Sequence, residues 1–333
     1  MELKTIDDVQ QCVGKLPAPR DLKVIDYIDS HAQRWLSYAS LGFVAFGGGT
    51  ELDLTLAGGA RGFVAVRDEH HLCLPLSALD DQSAAKTATA FGALFLVAGM
   101  DETLRVNGRV LALENEILVL RVEECYLHCA KAFRRSGFWR AEPNRPSYDD
   151  VADLLRRSSF LALATMNRSG QLDVSPKGDP AGLLIQQHGD GFCFAERPGN
   201  RRIDSFRNIL ECPQAALLAL IPGNSQMVLL RGRARLSADS ALLEGFSVQG
   251  KPPKLVTTID PESMTVTDSR ILSETSVWPA AAAPADLNPA EIFKSHIKHS
   301  KDRSMSAKVA RAAVSIPGAF KKGLESDYKN NMY

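Results

Sequence analysis

The chain has 333 residues, 45% hydrophobic and 23% charged, with no net charge. That length allows two ordinary domains with real cores, and the neutral balance supplies no global field to draw nucleic acid. No apolar run reaches transmembrane length, and the charged start Met-Glu-Leu-Lys-Thr-Ile-Asp-Asp lacks the apolar stretch of a signal peptide. Six cysteines without disulfide-scaffold spacing point to a reducing cytoplasm.

Residues 1–37 read as a helical segment. Val24, Ile25, Ile28, Trp35 and Leu36 fall near helical spacing, with Asp21 as a cap. Residues 38–145 form a β-rich unit, with strands expected at 41–46, 52–56, 62–66, 72–76, 94–98, 104–113 and 117–122. Gly47-Gly48-Gly49 reads as a hairpin turn; without a following helix and lysine it is no phosphate loop. Cys125, His128 and Cys129 have a metal-like spacing, but no second ligand pair accompanies them. Placed on a helix they share a face, so they read as core and no metal site is expected. His70 and His71 fall in a loop, and His31, His188, His296 and His299 have no evident partners in the sequence.

Residues 146–279 form a second unit. Residues 160–166 read as a strand, 167–170 as a tight turn, and the next strand runs into Ser175-Pro176-Lys177-Gly178-Asp179-Pro180. A later strand ends near Phe194, Pro198 and Gly199 turn the chain, and Asn200 is the expected cap of a helix carrying Ile203, Phe206 and Leu210. Pro213 stops that helix. Arg197, Arg201 and Arg202 therefore gather at a helix N-terminus, where open N–H groups, the dipole and guanidinium forks favour a phosphate. A solvated basic turn is the plainer alternative.

The two units are copies of one another. Asp53 matches Asp173, Gly58 matches Gly178, Gly62 matches Gly182 and Cys73 matches Cys193, each 120 apart (173 − 53 = 120). Gly108-Arg109 matches Gly232-Arg233 at 124, and Trp139 matches Trp278. Two repeats suit a single-chain pseudo-dimer rather than a solenoid. The copies have diverged at the cationic positions. Lys177 faces Ala57, and Asn200, Arg201 and Arg202 face Asp80, Asp81 and Gln82. Conversely, Arg105 faces Leu229, and Lys131, Arg134 and Arg135 face Arg270, Ser273 and Glu274.

Ser-Pro-Lys-Gly-Asp-Pro together with Arg-Pro-Gly-Asn-Arg-Arg resembles the pyridoxamine 5′-phosphate oxidase-like FMN-binding split-barrel family, over roughly residues 38–278. The resemblance implies a mainly β, α+β fold of two tandem split β-barrels with peripheral helices. It further implies FMN held between the barrels, its phosphate gripped by basic and hydroxyl residues. Ser175, Lys177, Arg197, Asn200, Arg201 and Arg202 are the corresponding grip here. The complementary losses make one composite site the economical expectation. The first repeat would supply Thr103, Arg105, Lys131, Arg134 and Trp139 near the ring or substrate, with Arg105 and Arg134 stabilising negative charge.

The expected activity is an FMN-dependent oxidoreductase acting on a small molecule, with a nicotinamide or other electron donor, in a monomeric pseudo-dimer or a homodimer. No nucleic-acid or membrane partner is expected. The C-terminal Arg-Leu-x-Pro motif of true pyridoxamine phosphate oxidases is absent; Val277-Trp278-Pro279 closes the repeat. Relatives of this barrel bind flavin, deazaflavin or haem, and some serve as carriers, sensors or haem-handling proteins, so a non-catalytic flavin- or haem-binding protein is the alternative. A cofactor-free structural protein with a vestigial phosphate motif is the third, against which Lys177, Arg201 and Arg202 argue. Residues 280–333 read as a linker and a basic helical tail, with a helix start at Asn288-Pro289 and a break at Pro317-Gly318 into two short helices. From Asp286 the tail has nine Lys/Arg against five Asp/Glu. Packing on the body, a lid over the barrel mouth and contact with an acidic partner are its possible uses.

Overall fold

The computed structural model describes residues 1–15, 22–49, 51–144, 146–199, 202–314 and 319–333. Two antiparallel sheets dominate. The first repeat contributes β2 (Leu41–Gly48), β3 (Glu51–Gly58), β4 (Ala65–Asp68), β5 (His71–Pro75), β6 (Ala90–Leu96), β7 (Thr103–Glu114) and β8 (Ile117–His128). The second contributes β9 (Phe160–Met166), β10 (Leu172–Gly178), β11 (Ile185–His188), β12 (Gly191–Ala195), β13 (Gln214–Leu220), β14 (Gln226–Ser237) and β15 (Val256–Asp268).

Their orders are β3-β2-β6-β7-β8-β5-β4 and β10-β9-β13-β14-β15-β12-β11. Strand for strand these are the same path, as a duplicated unit requires. Neither path closes into a ring among the described residues, and the short β1 (Glu2–Leu3) adds to β14.

The central strands are buried on both faces, which is why they read as unbroken apolar runs. In β2, Val44 and Phe46 enter the first repeat's own core, while Leu41, Phe43 and Ala45 point the other way. In β9, Leu161 and Leu163 enter the second repeat's core, while Phe160, Ala162 and Ala164 meet the first repeat. The outward faces form a third core shared by both halves, with Phe133, Phe138 and Trp278 around Phe160. Each fully buried side chain of this size contributes about 1.5–3 kcal/mol, so the repeats are welded rather than tethered.

The pseudo-symmetry extends to polar contacts. Asp173 of β10 pairs with Arg105 of β7, and its counterpart Asp53 of β3 pairs with Arg231 of β14 at 2.6 Å. A helix from each half packs on the opposite half's matched glycine: residues 131–136 on Gly178, and residues 270–274 on Gly58. A Cβ on Gly178 would lie 2.0 Å from the Ala132 carbonyl oxygen, so only glycine admits this approach.

Several sequence expectations are corrected. The N-terminal segment is not one helix: Ile6–Val13 and Ser30–Tyr38 are helical, Asp29 caps the latter, and Asp21 lies outside the described residues. The strand expected at 62–66 is Ala65–Asp68, because Gly62 takes a positive φ of 77° and turns the chain. The strand expected at 94–98 is Ala90–Leu96, and β8 runs on to His128. Cys125 and His128 therefore sit on a strand, paired with Val106 and Thr103, and not on a helix face. His71 begins β5 and its Nδ1 lies 2.9 Å from Asp68. Among the described residues the tail holds three helices, Pro289–His299, Met305–Val314 and Ala319–Asn330; residues 300–304 supply a break that the sequence reading missed. Asn288 caps the first as expected, and Pro317-Gly318 lies outside the described residues.

Candidate functional site

A cavity of about 600 Å³ lies where the repeats and the tail meet. That is within the usual size of a cofactor or substrate site. Among the described residues, eight lysines and arginines but only three carboxylates line it. The surplus of positive charge, set in apolar walls, favours an anion.

The second repeat builds one wall. The alternation of β10 turns Ser175 and Lys177 to the same side. Lys177 Nζ meets Glu196 Oε2 at 2.6 Å, and Glu196 is held in turn by Thr257 Oγ1 at 3.0 Å. Arg197 is almost wholly buried. Its Nε donates to Asp179 Oδ2 at 2.6 Å and its Nη1 to the Phe246 carbonyl at 2.8 Å, while Nη2 finds no hydrogen-bond partner among the described residues. A buried guanidinium N–H left without an acceptor is costly, and Arg197 is one of the residues that line the cavity. Arg202 pairs with Asp204 at 2.6 Å, and its guanidinium lies 4.6 Å from the centre of the Tyr126 ring. The helix here is Asp204–Glu211 with Ile203 as its cap, which corrects the expected start at Asn200. Asn200 and Arg201 lie outside the described residues.

The first repeat builds the facing wall. Arg105 reaches across from β7. Its Nη1 donates to Asp173 Oδ1 and, at 2.7 Å, to Tyr126 Oη; its Nη2 donates to Ser175 Oγ at 3.0 Å. Asp173 Oδ2 also accepts from Ser175 at 3.0 Å and Ser205 at 2.9 Å. Burial disfavours the charge on Arg105, but Asp173, Tyr126 and Asp204 together outweigh it and the guanidinium is held above its ordinary pKa. Burial pushes the Tyr126 phenol up, so it stays protonated. His128 also lines the cavity. Burial first, then Arg105 and Lys23, pushes its imidazole well below the ordinary value, so it is neutral at neutral pH.

Of the residues singled out in the sequence, Ser175, Lys177, Arg197, Arg202, Arg105 and Lys131 come together at this cavity. Three others do not line it. Thr103 is fully buried with its hydroxyl unpartnered among the described residues. Arg134 turns away to Asp101 at 3.1 Å and stacks on Tyr328 at 4.4 Å. Trp139 donates from Nε1 to the Met100 carbonyl at 2.6 Å and packs on the shared core. The charge-stabilising role expected of Arg134 therefore has no geometric basis.

Sequence reasoning missed Asp173, Tyr126, Ser205 and Glu196, which hold the cations and hydroxyls in place. The invariance of Asp53 and Asp173 between the repeats was the available signal for the first. The first-repeat position matched to Asn200 is put to another use. Asp80 accepts from the Ile271 N–H at 2.9 Å and from Ser269 Oγ at 2.5 Å, so it caps the start of the 270–274 helix. Among the described residues no cluster of three His, Cys, Asp or Glu side chains assembles to hold a metal, and no helix is long and apolar enough to cross a membrane.

The pyridoxamine 5′-phosphate oxidase family model matches residues 148–268. No curated protein matches the chain. Among solved structures, HupZ of Group A Streptococcus is similar at 17% identity, covering 37% of this chain and 96% of its own, with a TM-score of 0.30. An F420 reductase is similar at 18% identity over 36% of this chain and 98% of its own, with a TM-score of 0.28. General Stress Protein 26 from Bacillus anthracis is similar at 13% identity over 36% and 92%, with a TM-score of 0.29. The segment 148–268, which holds Ser175, Lys177, Arg197 and Arg202, belongs to the pyridoxamine 5′-phosphate oxidase-like family.

Proposed function

We propose that the chain binds one FMN in the cavity between its repeats and acts as an FMN-dependent oxidoreductase on a small molecule, with a nicotinamide or another donor as reductant. The observation that carries this reading is the cavity's surplus of positive charge around Lys177, Arg197 and Arg202, inside the family-matched segment, with Arg197 Nη2 buried and without an acceptor among the described residues. When bound, the flavin would supply two-electron transfer. Ser175, Lys177, Arg197 and Arg202 would hold its phosphate. Ser175 and Ser205 are already aimed by Asp173, so little ordering remains for binding to cost. Arg105 is neutralised by Asp173 and works as the brace between the walls. A neutral His128 offers one N–H donor and one acceptor nitrogen without adding a fixed charge.

The test is an absorption spectrum of the purified chain, before and after denaturation, with released cofactor quantified. About one FMN per chain is expected, since only the second repeat keeps the cationic grip. Two per chain would overturn the composite site. No flavin, even after reconstitution with FMN, would overturn the reading. A Soret band instead would select the haem alternative, with His128 as the first ligand to examine.

A further inference from the structure

The third wall of the cavity comes from the tail. Lys131 and Arg135 stand one turn apart on the 131–136 helix, and both side chains are almost fully buried. Lys131 Nζ meets Asp327 Oδ2 at 3.0 Å and donates to the Asn331 carbonyl at 2.9 Å. Arg135 Nη1 donates to the Met332 carbonyl at 3.0 Å, while its Nε donates to the Gly178 carbonyl at 2.9 Å. The Tyr333 ring lies 5.4 Å from the Arg197 guanidinium.

The tail is secured one residue away from these contacts. Tyr328 is buried, donates to Glu102 Oε1 at 3.1 Å, accepts from the Ala130 N–H at 3.2 Å and lies under Arg134. Its tip is held differently. None of residues 330–333 belongs to a hydrophobic cluster among the described side chains, and beyond Tyr328 the contacts to the body run to Lys131, Arg135 and Arg197. A carboxylate and two carbonyl oxygens are the acceptors an anionic ligand would itself bring.

We propose that Lys131 and Arg135 form a second anion subsite, for a carboxylate or phosphate group, which the tail covers with its own acceptors and yields when the ligand arrives. Lys131 and Arg135 line the same cavity as Lys177, Arg197 and Arg202, and about 600 Å³ of it stays open with the tail in place, so the covered subsite borders the cofactor position. The inference rests on the flavin reading only for calling that anion the substrate's.

Hydrogen exchange of the peptide spanning residues 323–333, in the full chain, tests it. The probe is inorganic pyrophosphate, against sodium chloride of equal ionic strength. Pyrophosphate is expected to speed exchange of the amides at 330–333 several-fold. Asp327→Asn is expected to speed it roughly tenfold without any anion, the loss of one charge-assisted bond. Lys131→Gln should exchange fast and ignore pyrophosphate. An unmoved tail in the parent chain, or a response that survives in Lys131→Gln, would overturn the subsite. Should Lys131→Gln fail to fold, the parent chain and Asp327→Asn still decide. FMN uptake is read separately by absorbance. A chain that opens its tail but takes no FMN loses the flavin reading alone; a chain that binds FMN with an unmoved tail loses the subsite alone.

Discussion

Arg197→Lys isolates the contribution of one N–H group. The parent side chain uses three nitrogens in three directions: Nε on Asp179, Nη1 on the Phe246 carbonyl, and Nη2 toward no partner among the described residues. Lysine keeps the positive charge beside Asp179, so no buried carboxylate is left without a counter-charge. It cannot reproduce the planar fork, and the third direction is lost. A hydrogen bond to a charged group is worth about 1.5–3 kcal/mol, so FMN should bind about 10- to 150-fold more weakly. Riboflavin has the same ring and no phosphate, and supplies the control. The assay is flavin fluorescence quenching, titrated with both ligands into both proteins. FMN affinity should fall while riboflavin affinity holds within about twofold. Equal losses for both would mean that Arg197 shapes the cavity without gripping phosphate. No loss for either would remove Arg197 from the site.

Three further outcomes follow from buried contacts. Arg105→Leu, which installs the residue found at the matched position 229, leaves Asp173 unpaired and should cost about 3–5 kcal/mol in urea unfolding; the double change with Asp173→Leu should recover part of it. Gly178→Ala drives a Cβ into the Ala132 carbonyl and should cost about 1–3 kcal/mol, whereas Gly199→Ala, whose nearest neighbour would be 3.8 Å away, should lie within about 0.5 kcal/mol of the parent. Asp29 is buried, which alone would raise its pKa, but His296 beside it at 3.4 Å and the Ala32 N–H lower it from 3.8 to about 2. A depressed carboxyl stabilises the fold above its unfolded pKa and loses that effect as pH falls through the folded one. Asp29→Asn should therefore be about 2 kcal/mol less stable at pH 6, with the gap closing between about pH 4 and 2; a constant gap would refute the pairing.

The duplication was legible because strands preserve spacing. Aspartates and glycines 120 residues apart survived, and they are the residues that pair across the repeats or admit a backbone. The cationic wall was legible for a similar reason: Lys177, Arg197 and Arg202 lie close in the chain around one strand and one turn. Arg134 and Trp139 were misjudged because they share a short motif with Lys131: Arg134 leaves the 131–136 helix in another direction, and Trp139 lies beyond the left-handed turn at Gly137. His296 looked partnerless because Asp29 is 267 residues away. The tail's contacts were out of reach for another reason. Lys131 and Arg135 meet main-chain carbonyls about 200 residues distant, and a carbonyl has no residue identity to read.

The two halves have divided a task that the symmetry of the fold offers twice. Each half sends a helix onto the other's matched glycine, so each interface end began with the same geometry. At one end the second repeat kept Lys177 and its arginines, the first kept Arg105, Lys131 and Arg135, and a cavity remains open between them. At the other, Asp80 spends both carboxylate oxygens capping the 270–274 helix, and Ile271 fills against Gly58. On the proposed function the losses are complementary, because the first repeat's change at Asp80 put packing in place of cations without touching the shared core. Drift alone would degrade both ends. Here one end gained a helix cap and a filled contact, which stabilises the pseudo-dimer that the remaining site needs, since both of that site's principal walls come from different repeats. The carboxylate at position 80 is thus structural, and replacing it with a cation would cost the cap before it could restore a second anion site.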